Sequence, residues 1–199
     1  MSSVDLQGGL TRCAWVPVGP GPDAEMYRDY HDREWGRPQR DGVGLFEKMS
    51  LEAFQSGLSW LTILRKRDNF RRAFDGFDPR KVAAYDDADV QRLLADQGIV
   101  RNRAKIEATI ANAAVAADLG AGALSELLWS FAPPRRPRRA AMSEIPSASE
   151  ESKAMVRELK RRGFRFVGPT TAYALMQATG MVDDHVRDCW VPVVVGEDG

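Results

Sequence analysis

The chain has 199 residues, with 28 Lys and Arg against 28 Asp and Glu, two His and two Cys. That length suits one domain, or one domain with a small lobe, and supports a single core. A formal net charge of zero argues against a generic polyanion binder, and two Cys far apart in sequence make no disulfide framework.

Residues 1–10 hold no basic residue and no apolar run, so they do not read as a secretory signal; a disordered N-terminus is expected there. No apolar stretch is long enough to span a membrane, so a cytoplasmic protein with reduced thiols and no membrane partner is expected. Pro17 to Pro22 is too rich in Pro and Gly for regular structure. Met26 to Gly36 reads as a short helix stopped by Gly36, and Tyr27, Tyr30, His31 and Trp35 make it more aromatic than a solvent-facing helix needs. From Gly44 to Phe74 an apolar stripe runs through Leu45, Met49, Phe54, Leu58, Leu61 and Leu64, with Glu47, Lys48, Arg65, Lys66 and Arg67 off it. Ser56-Gly57-Leu58-Ser59 breaks that run, which predicts a tight turn with Trp60 opening the next helix. Glu52, among Leu51, Ala53 and Phe54, is either on the surface or unusually placed. Further helices are expected over Asp86 to Gly98, Asn102 to Leu119, Leu124 to Phe131, Ser149 to Lys160 and Thr171 to Gly180. Pro133 to Arg139 reads as a basic loop with no packing residues. No alternating apolar pattern suggests a sheet, so the class is all-α.

Charge is unevenly placed. Residues 133–165 carry ten Lys and Arg against four acids, which suits either a nucleic-acid face or a solvated surface. That segment runs into Phe166-Val167-Gly168-Pro169-Thr170-Thr171, a hairpin opening a helix whose free amides can hold a phosphate. His185 and Cys189 are spaced to share one face of a helix, and imidazole and thiolate are ligands that zinc favours. The remaining Cys13 and His31 lie near the other terminus. Either all four meet around one metal, or His185 and Cys189 are an ordinary helix pair and Cys13 a small buried hydrophobe.

The motifs Arg12-Cys13-Ala14-Trp15, Tyr30-His31-Asp32-Arg33-Glu34-Trp35-Gly36, Leu45-Phe46-Glu47, the run Leu51 to Trp60, Phe77-Asp78-Pro79, Ser143-Glu144-Ile145-Pro146, Arg162 to Gly168 and Asp184-His185-Val186 with Cys189 resemble, in order, those of the DNA-3-methyladenine glycosylase I family. The resemblance implies a helix-hairpin-helix fold over residues 11–192, as one domain of two helical lobes, with 193–199 as a tail. It implies hydrolysis of the N-glycosidic bond of 3-methyladenine in double-stranded DNA by a monomeric protein of the bacterial cytosol. It makes Cys13, His31, His185 and Cys189 the ligands of a structural Zn2+ joining the two ends of the chain. Glu52 takes the catalytic position, with Tyr30, Trp60 and Trp35 binding the base. Tyr30 and Trp60 suit a sandwich around a cationic base, because aromatic faces attract positive charge. Gly168, Thr170, Thr171 and Leu58 face DNA, with Leu58 filling the gap left by a flipped nucleotide. The rival is a non-catalytic damage-binding protein of the same fold. One position departs from the family: Asp183 stands where Asn is common. Its carboxylate is either catalytic or a structural cap, and Asp184 is a candidate to orient His185.

Overall fold

The computed structural model describes residues 3–4 and 9–193. It contains β1 (Ser3–Val4), β2 (Thr11–Arg12) and the helices α1 (Pro22–Arg33), α2 (Gly42–Gln55), α3 (Trp60–Ala73), α4 (Pro79–Ala83), α5 (Asp87–Ala95), α6 (Arg103–Leu119), α7 (Ala121–Trp129), α8 (Glu150–Arg161) and α9 (Pro169–Ala178). Short 3-10 turns lie at Asp75–Phe77 and Met142–Glu144. The protein is thus helical, as expected, apart from one small departure. β1 and β2 pair antiparallel, with Ser3 opposite Arg12, and β1 lies inside the stretch expected to be disordered. The reason is that β2 is anchored from its far side. Trp190 N donates to Thr11 O at 2.9 Å, and the Arg12 guanidinium is clamped on Asp32. An anchored strand offers its remaining backbone groups to a partner. The rest of residues 1–10, and the tail from residue 194 onward, lie outside the described residues.

The helix starts follow their caps. Asp41, Ser59, Asp86, Asn102 and Ser149 each accept a first-turn amide of the helix they precede. α1 begins at Pro22, four residues before the expected start at Met26, because Pro at the first helical position needs no amide partner. α4 was not foreseen; Asp78 capping Pro79 at its first position is the signal that marks it.

α2 is the central element and packs against α3, α6, α7 and α9. Leu45, Phe46, Met49, Leu51 and Phe54 are all buried, and burial of each such side chain contributes about 1.5–3 kcal/mol. Lys48 and Glu52, one turn apart on α2, are buried too, where Lys48 was expected on the outer face. α8 packs on α9, and the two are joined by a hairpin over Arg162 to Gly168. Two apolar clusters result. The larger fills the space among α2 to α9, and the smaller gathers Cys13, Tyr30, Trp35, Leu64, Ala178, Val186, Cys189 and Val191. Trp60 touches both.

Candidate active site and metal centre

Cys13, His31, His185 and Cys189 converge in the smaller cluster, all buried, with one ligand atom of each lying within 4.8 Å of the others. Cys13 Sγ is 3.7 Å from His185 Nδ1, Cys189 Sγ is 3.5 Å from the same atom, and Cys189 Sγ is 3.6 Å from His31 Nε2. Donors at the edges of a tetrahedron with metal–ligand bonds of 2.0–2.3 Å stand roughly 3.6 Å apart. The donor set therefore fits one tetrahedral divalent cation. The thiols form no disulfide. Cys189 is the more acidic thiol: the hydrogen bond from Cys13 holds its pKa down against burial, with His185 and His31 adding to the effect.

The residues around the four donors orient them. His31 Nδ1 sits 2.7 Å from Asp32 Oδ1, and Asp32 is held by Arg12 and by Trp190 Nε1. Burial pushes the Asp32 carboxyl up, but Arg12 and His31 together keep it below its usual value. His185 Nε2 meets the Trp35 carbonyl at 3.1 Å. A histidine whose second nitrogen is fixed in this way presents the first to a metal in one tautomer and one orientation. Gly36, at φ 75, permits the approach, since a Cβ there would lie 3.0 Å from His185 Nε2.

Three expectations are corrected here. His185 and Cys189 do not share a helix: residues 183–190 form turns, and Cys189 N donates to Val186 O at 2.9 Å. Asp184 does not orient His185. It accepts from Tyr173 Oη at 2.7 Å, Gln177 Nε2 at 2.9 Å and Arg139 at 2.8 Å, which ties the segment to α9. The basic loop does pack. Arg138 binds Asp183 at 2.8 Å and the Val191 carbonyl at 2.6 Å, and the Arg139 carbonyl accepts from Arg187 N. The uncompensated acids of the C-terminal segment attract these arginines.

Asp183 is thereby occupied. Its Oδ2 takes Arg138, and its Oδ1 accepts from His185 N at 3.3 Å. Asp183→Asn keeps the oxygen that caps His185 N and loses the charge opposite Arg138. Base release within about twofold of wild type is expected, with a stability loss of about 1–2 kcal/mol in urea unfolding. A drop of tenfold or more in release would make Asp183 a reacting group.

Glu52 lies in a different environment. It is 5% exposed, and among the described residues its carboxylate takes no hydrogen bond and no ion pair. Burial pushes its pKa up to about 8, partly opposed by the charge of Lys48. Lys48 is itself paired with Glu34 and lies 5.0 Å over the Tyr30 ring, and Arg67 adds a second pair to Glu34 at 2.7 Å. The nearest positive charge is therefore already matched. Burial, then the charges of Glu52 and Glu34, raise the Tyr30 hydroxyl well above its usual pKa, so it stays a donor.

The aromatic residues form one continuous wall. Tyr30 and Trp60 meet at 5.2 Å between ring centroids. A base sandwiched between two rings needs about two van der Waals separations, ~7 Å in all, so these two do not enclose a base in this conformation. They make one closed wall that must part or turn to admit one. Trp35 stacks on His31 at 6.3 Å and sets its edge on His185 at 4.7 Å, so it belongs as much to the metal centre as to the wall. Trp60 Nε1 is a buried donor with no partner among the described residues. A cleft of about 560 Å³ beside α1 and α3 reaches Tyr30, with Met26, Glu34 and Arg67 among its lining. Lys48, Glu34 and Asp32 were missed as parts of the site. The four-residue spacing of Lys48 from Glu52, and Asp32 beside His31, were the available signals.

The expected DNA-facing residues lie at or near the surface. Leu58 is 42% exposed in the turn between α2 and α3, where Gly57 at φ 82 reverses the chain. Gly168 precedes α9, whose first amides have no side-chain cap, and Thr170 is exposed while Thr171 is half-buried. An uncapped helix start of this kind suits a phosphate oxygen.

Comparison with known proteins places the chain in a family. A family model described as methyladenine glycosylase matches residues 21–192. The chain is 45% identical over 184 residues to DNA-3-methyladenine glycosylase 1 of Escherichia coli K12, covering 90% of this chain and 96% of that protein. It is similar to a crystal structure of 3-methyladenine DNA glycosylase I, with TM-score 0.83, 43% identity, and coverage of 90% of this chain and 98% of that one. It also resembles the 3-methyladenine DNA glycosylase I of Staphylococcus aureus solved for the basis of 3-methyladenine recognition, with TM-score 0.81, 33% identity, and coverage of 92% and 97%. With the match running from α1 to beyond Cys189, this chain belongs to the methyladenine glycosylase family.

Proposed function

We propose that this chain is a DNA-3-methyladenine glycosylase, which hydrolyses the N-glycosidic bond of 3-methyladenine in alkylated double-stranded DNA and leaves an abasic site. The observation that carries the assignment of roles is Glu52, a buried carboxylate with no partner beside an aromatic wall. Partnerless buried charge is unfavourable unless a ligand supplies the partner. 3-Methyladenine in DNA carries a delocalised positive charge. It supplies that partner, and a neutral adenine does not. Ionised Glu52 accepts from the amino edge of the base, the Tyr30 and Trp60 faces favour the cation, and the free Trp60 N–H is available to a base acceptor. Trp35 backs this wall.

Alkylation has already activated the leaving group. As the C1′–N9 bond breaks, its electron pair neutralises the base, and the sugar becomes oxocarbenium-like. Water then forms the new C1′–O bond and loses a proton to solvent. No general acid is needed. The protein's work is to extrude the nucleotide and hold it, with Leu58 in the vacated stack and the amides and hydroxyls at Gly168, Thr170 and Thr171, in a helix-hairpin-helix motif, on DNA phosphates. Cys13, His31, His185 and Cys189 would hold zinc. Four protein donors would leave no position for water, so such an ion would supply structural cross-linking and no water activation. The protein acts as a monomer in the bacterial cytosol. Among the described residues no helix is long and apolar enough to cross a membrane.

A pH profile tests the role of Glu52. With a free-enzyme pKa of about 8, only the ionised fraction attracts the cationic base. kcat/KM should rise about tenfold per pH unit below 8 and level above it, while kcat stays flatter because the bound cation keeps Glu52 ionised. A kcat/KM that falls between pH 6 and 8 would overturn this role.

A further inference from the structure

Two of the few large apolar side chains exposed among the described residues sit at the tips of turns: Leu58 at 42% and Phe166 at 43%. Phe166 holds a left-handed backbone at φ 56, a conformation that disfavours a bulky side chain unless its surroundings impose it. The surroundings come from α6. Asn112 donates through Nδ2 to Arg165 O at 3.0 Å and accepts from Arg165 N at 2.7 Å, so its amide pairs with the hairpin as a strand would. Two turns earlier on the same face, Lys105 Nζ donates to the carbonyls of Phe54 at 2.9 Å and Ser56 at 2.7 Å, holding the turn that carries Leu58. Both side chains are buried, at 7% and 4% exposure for Lys105 and Asn112. Polar groups buried deep in a helical core are unfavourable unless they satisfy specific partners. Here the partners are the backbones of two turns far apart in sequence, fixed to one rigid helix with ~10.5 Å between the attachment points along its axis.

We infer that Lys105 and Asn112 are positioning residues that set the separation of the Leu58 turn from the Phe166 hairpin, and that Phe166 is a second apolar contact to the duplex beside the lesion. The inference rests on the glycosylase reading, and it adds one DNA-contacting residue and two that act through others. Phe166 meets the sugar edges of the groove while Leu58 enters the stack. α6 keeps both on the same few base pairs.

The test measures binding to a duplex oligonucleotide carrying a tetrahydrofuran abasic site, by fluorescence anisotropy, alongside binding of free 3-methyladenine. Phe166→Ala, Asn112→Leu and Lys105→Met should each weaken duplex binding about tenfold, while the affinity for the free base stays within about twofold. If Asn112 acts through Phe166, the double variant Asn112→Leu/Phe166→Ala should be no weaker than the worse single variant by more than about twofold. Additive losses near a hundredfold overturn the positioning role, as does free-base affinity falling in step with duplex affinity. Phe166→Ala changes only an exposed tip, so unchanged duplex binding by that variant overturns the contact even if the α6 variants fail to fold. Because the probe contains no 3-methyladenine, a wild-type protein that binds it but releases no base from a separate methylated duplex would defeat the glycosylase reading alone.

Discussion

Glu52→Gln is expected to lower release of 3-methyladenine from methylated duplex DNA by about 10²–10³-fold, the range seen when one aligned charge-stabilising group is lost from an active site. The same change is expected to stabilise the protein, by an amount that grows with pH. Glu52 titrates near 8 in the folded protein, against 4.5 for an ordinary glutamate. The folded state therefore binds the proton more tightly than the unfolded state. Stability is least affected below pH 4.5 and falls as pH rises through the window from 4.5 to 8. At pH 9 the penalty reaches at most about 5 kcal/mol, at about 1.4 kcal/mol per pH unit. Gln has the same shape and no such penalty. Urea unfolding should give near-equal stabilities at pH 5 and a more stable variant, by a few kcal/mol, at pH 9. A variant no more stable than wild type at pH 9 would mean that Glu52 has a partner in the folded protein. Loss of activity with gain of stability is the signature of a residue kept for its ligand.

Cys189→Ser is expected to be the most disruptive single change in the metal centre. It removes one of four donors and leaves His31, His185 and Cys13 around an incomplete site. A structural zinc contributes ~10–16 kcal/mol in small zinc-dependent peptides; with a separate large core remaining here, a loss of about 5 kcal/mol is expected. For a chain of this size that lowers Tm by about 10–20 °C. Base release should fall with it, because Tyr30 precedes His31 on α1 and Trp35 packs on both histidines. Elemental analysis should find one zinc per chain in the wild type and less than a tenth of that in the variant. A metal-free wild type with unchanged melting would leave the cluster without its proposed ion.

The four donors were legible because the chain has no other His or Cys from which to choose. The helices were legible wherever a cap or a Gly stop flanked an apolar stripe, as Ser59 and Asp86 do. What could not be read were the charges that burial makes useful. Lys48 looked like a surface lysine because its partner Glu34 lies on another segment, 14 residues earlier. Lys105 and Asn112 looked like ordinary helix residues because the backbones they hold are 49 to 53 residues away. Arg138 and Arg139 looked like solvated loop charges because the acids that receive them are 45 residues further on. Periodicity reports which face of a helix is apolar, and it carries no information on whether a charge off that face meets an opposite one across the fold. The His185 to Cys189 spacing misled for a related reason. A four-residue separation satisfies a helix and a metal-binding turn equally, and the arginine and tyrosine contacts of Asp183 and Asp184 select the turn.

In the proposed function, a buried, partnerless carboxylate beside an aromatic wall selects a cationic base for excision. Chromatography of the bases released from methylated duplex DNA tests it most directly, with wild type and Glu52→Gln compared on the same substrate at pH 8. The expected result is free 3-methyladenine from the wild type, an abasic site left in the strand, and release reduced by at least about 10²-fold in the variant. Equal release by the two proteins, or none from a folded, metal-loaded wild type, would contradict it.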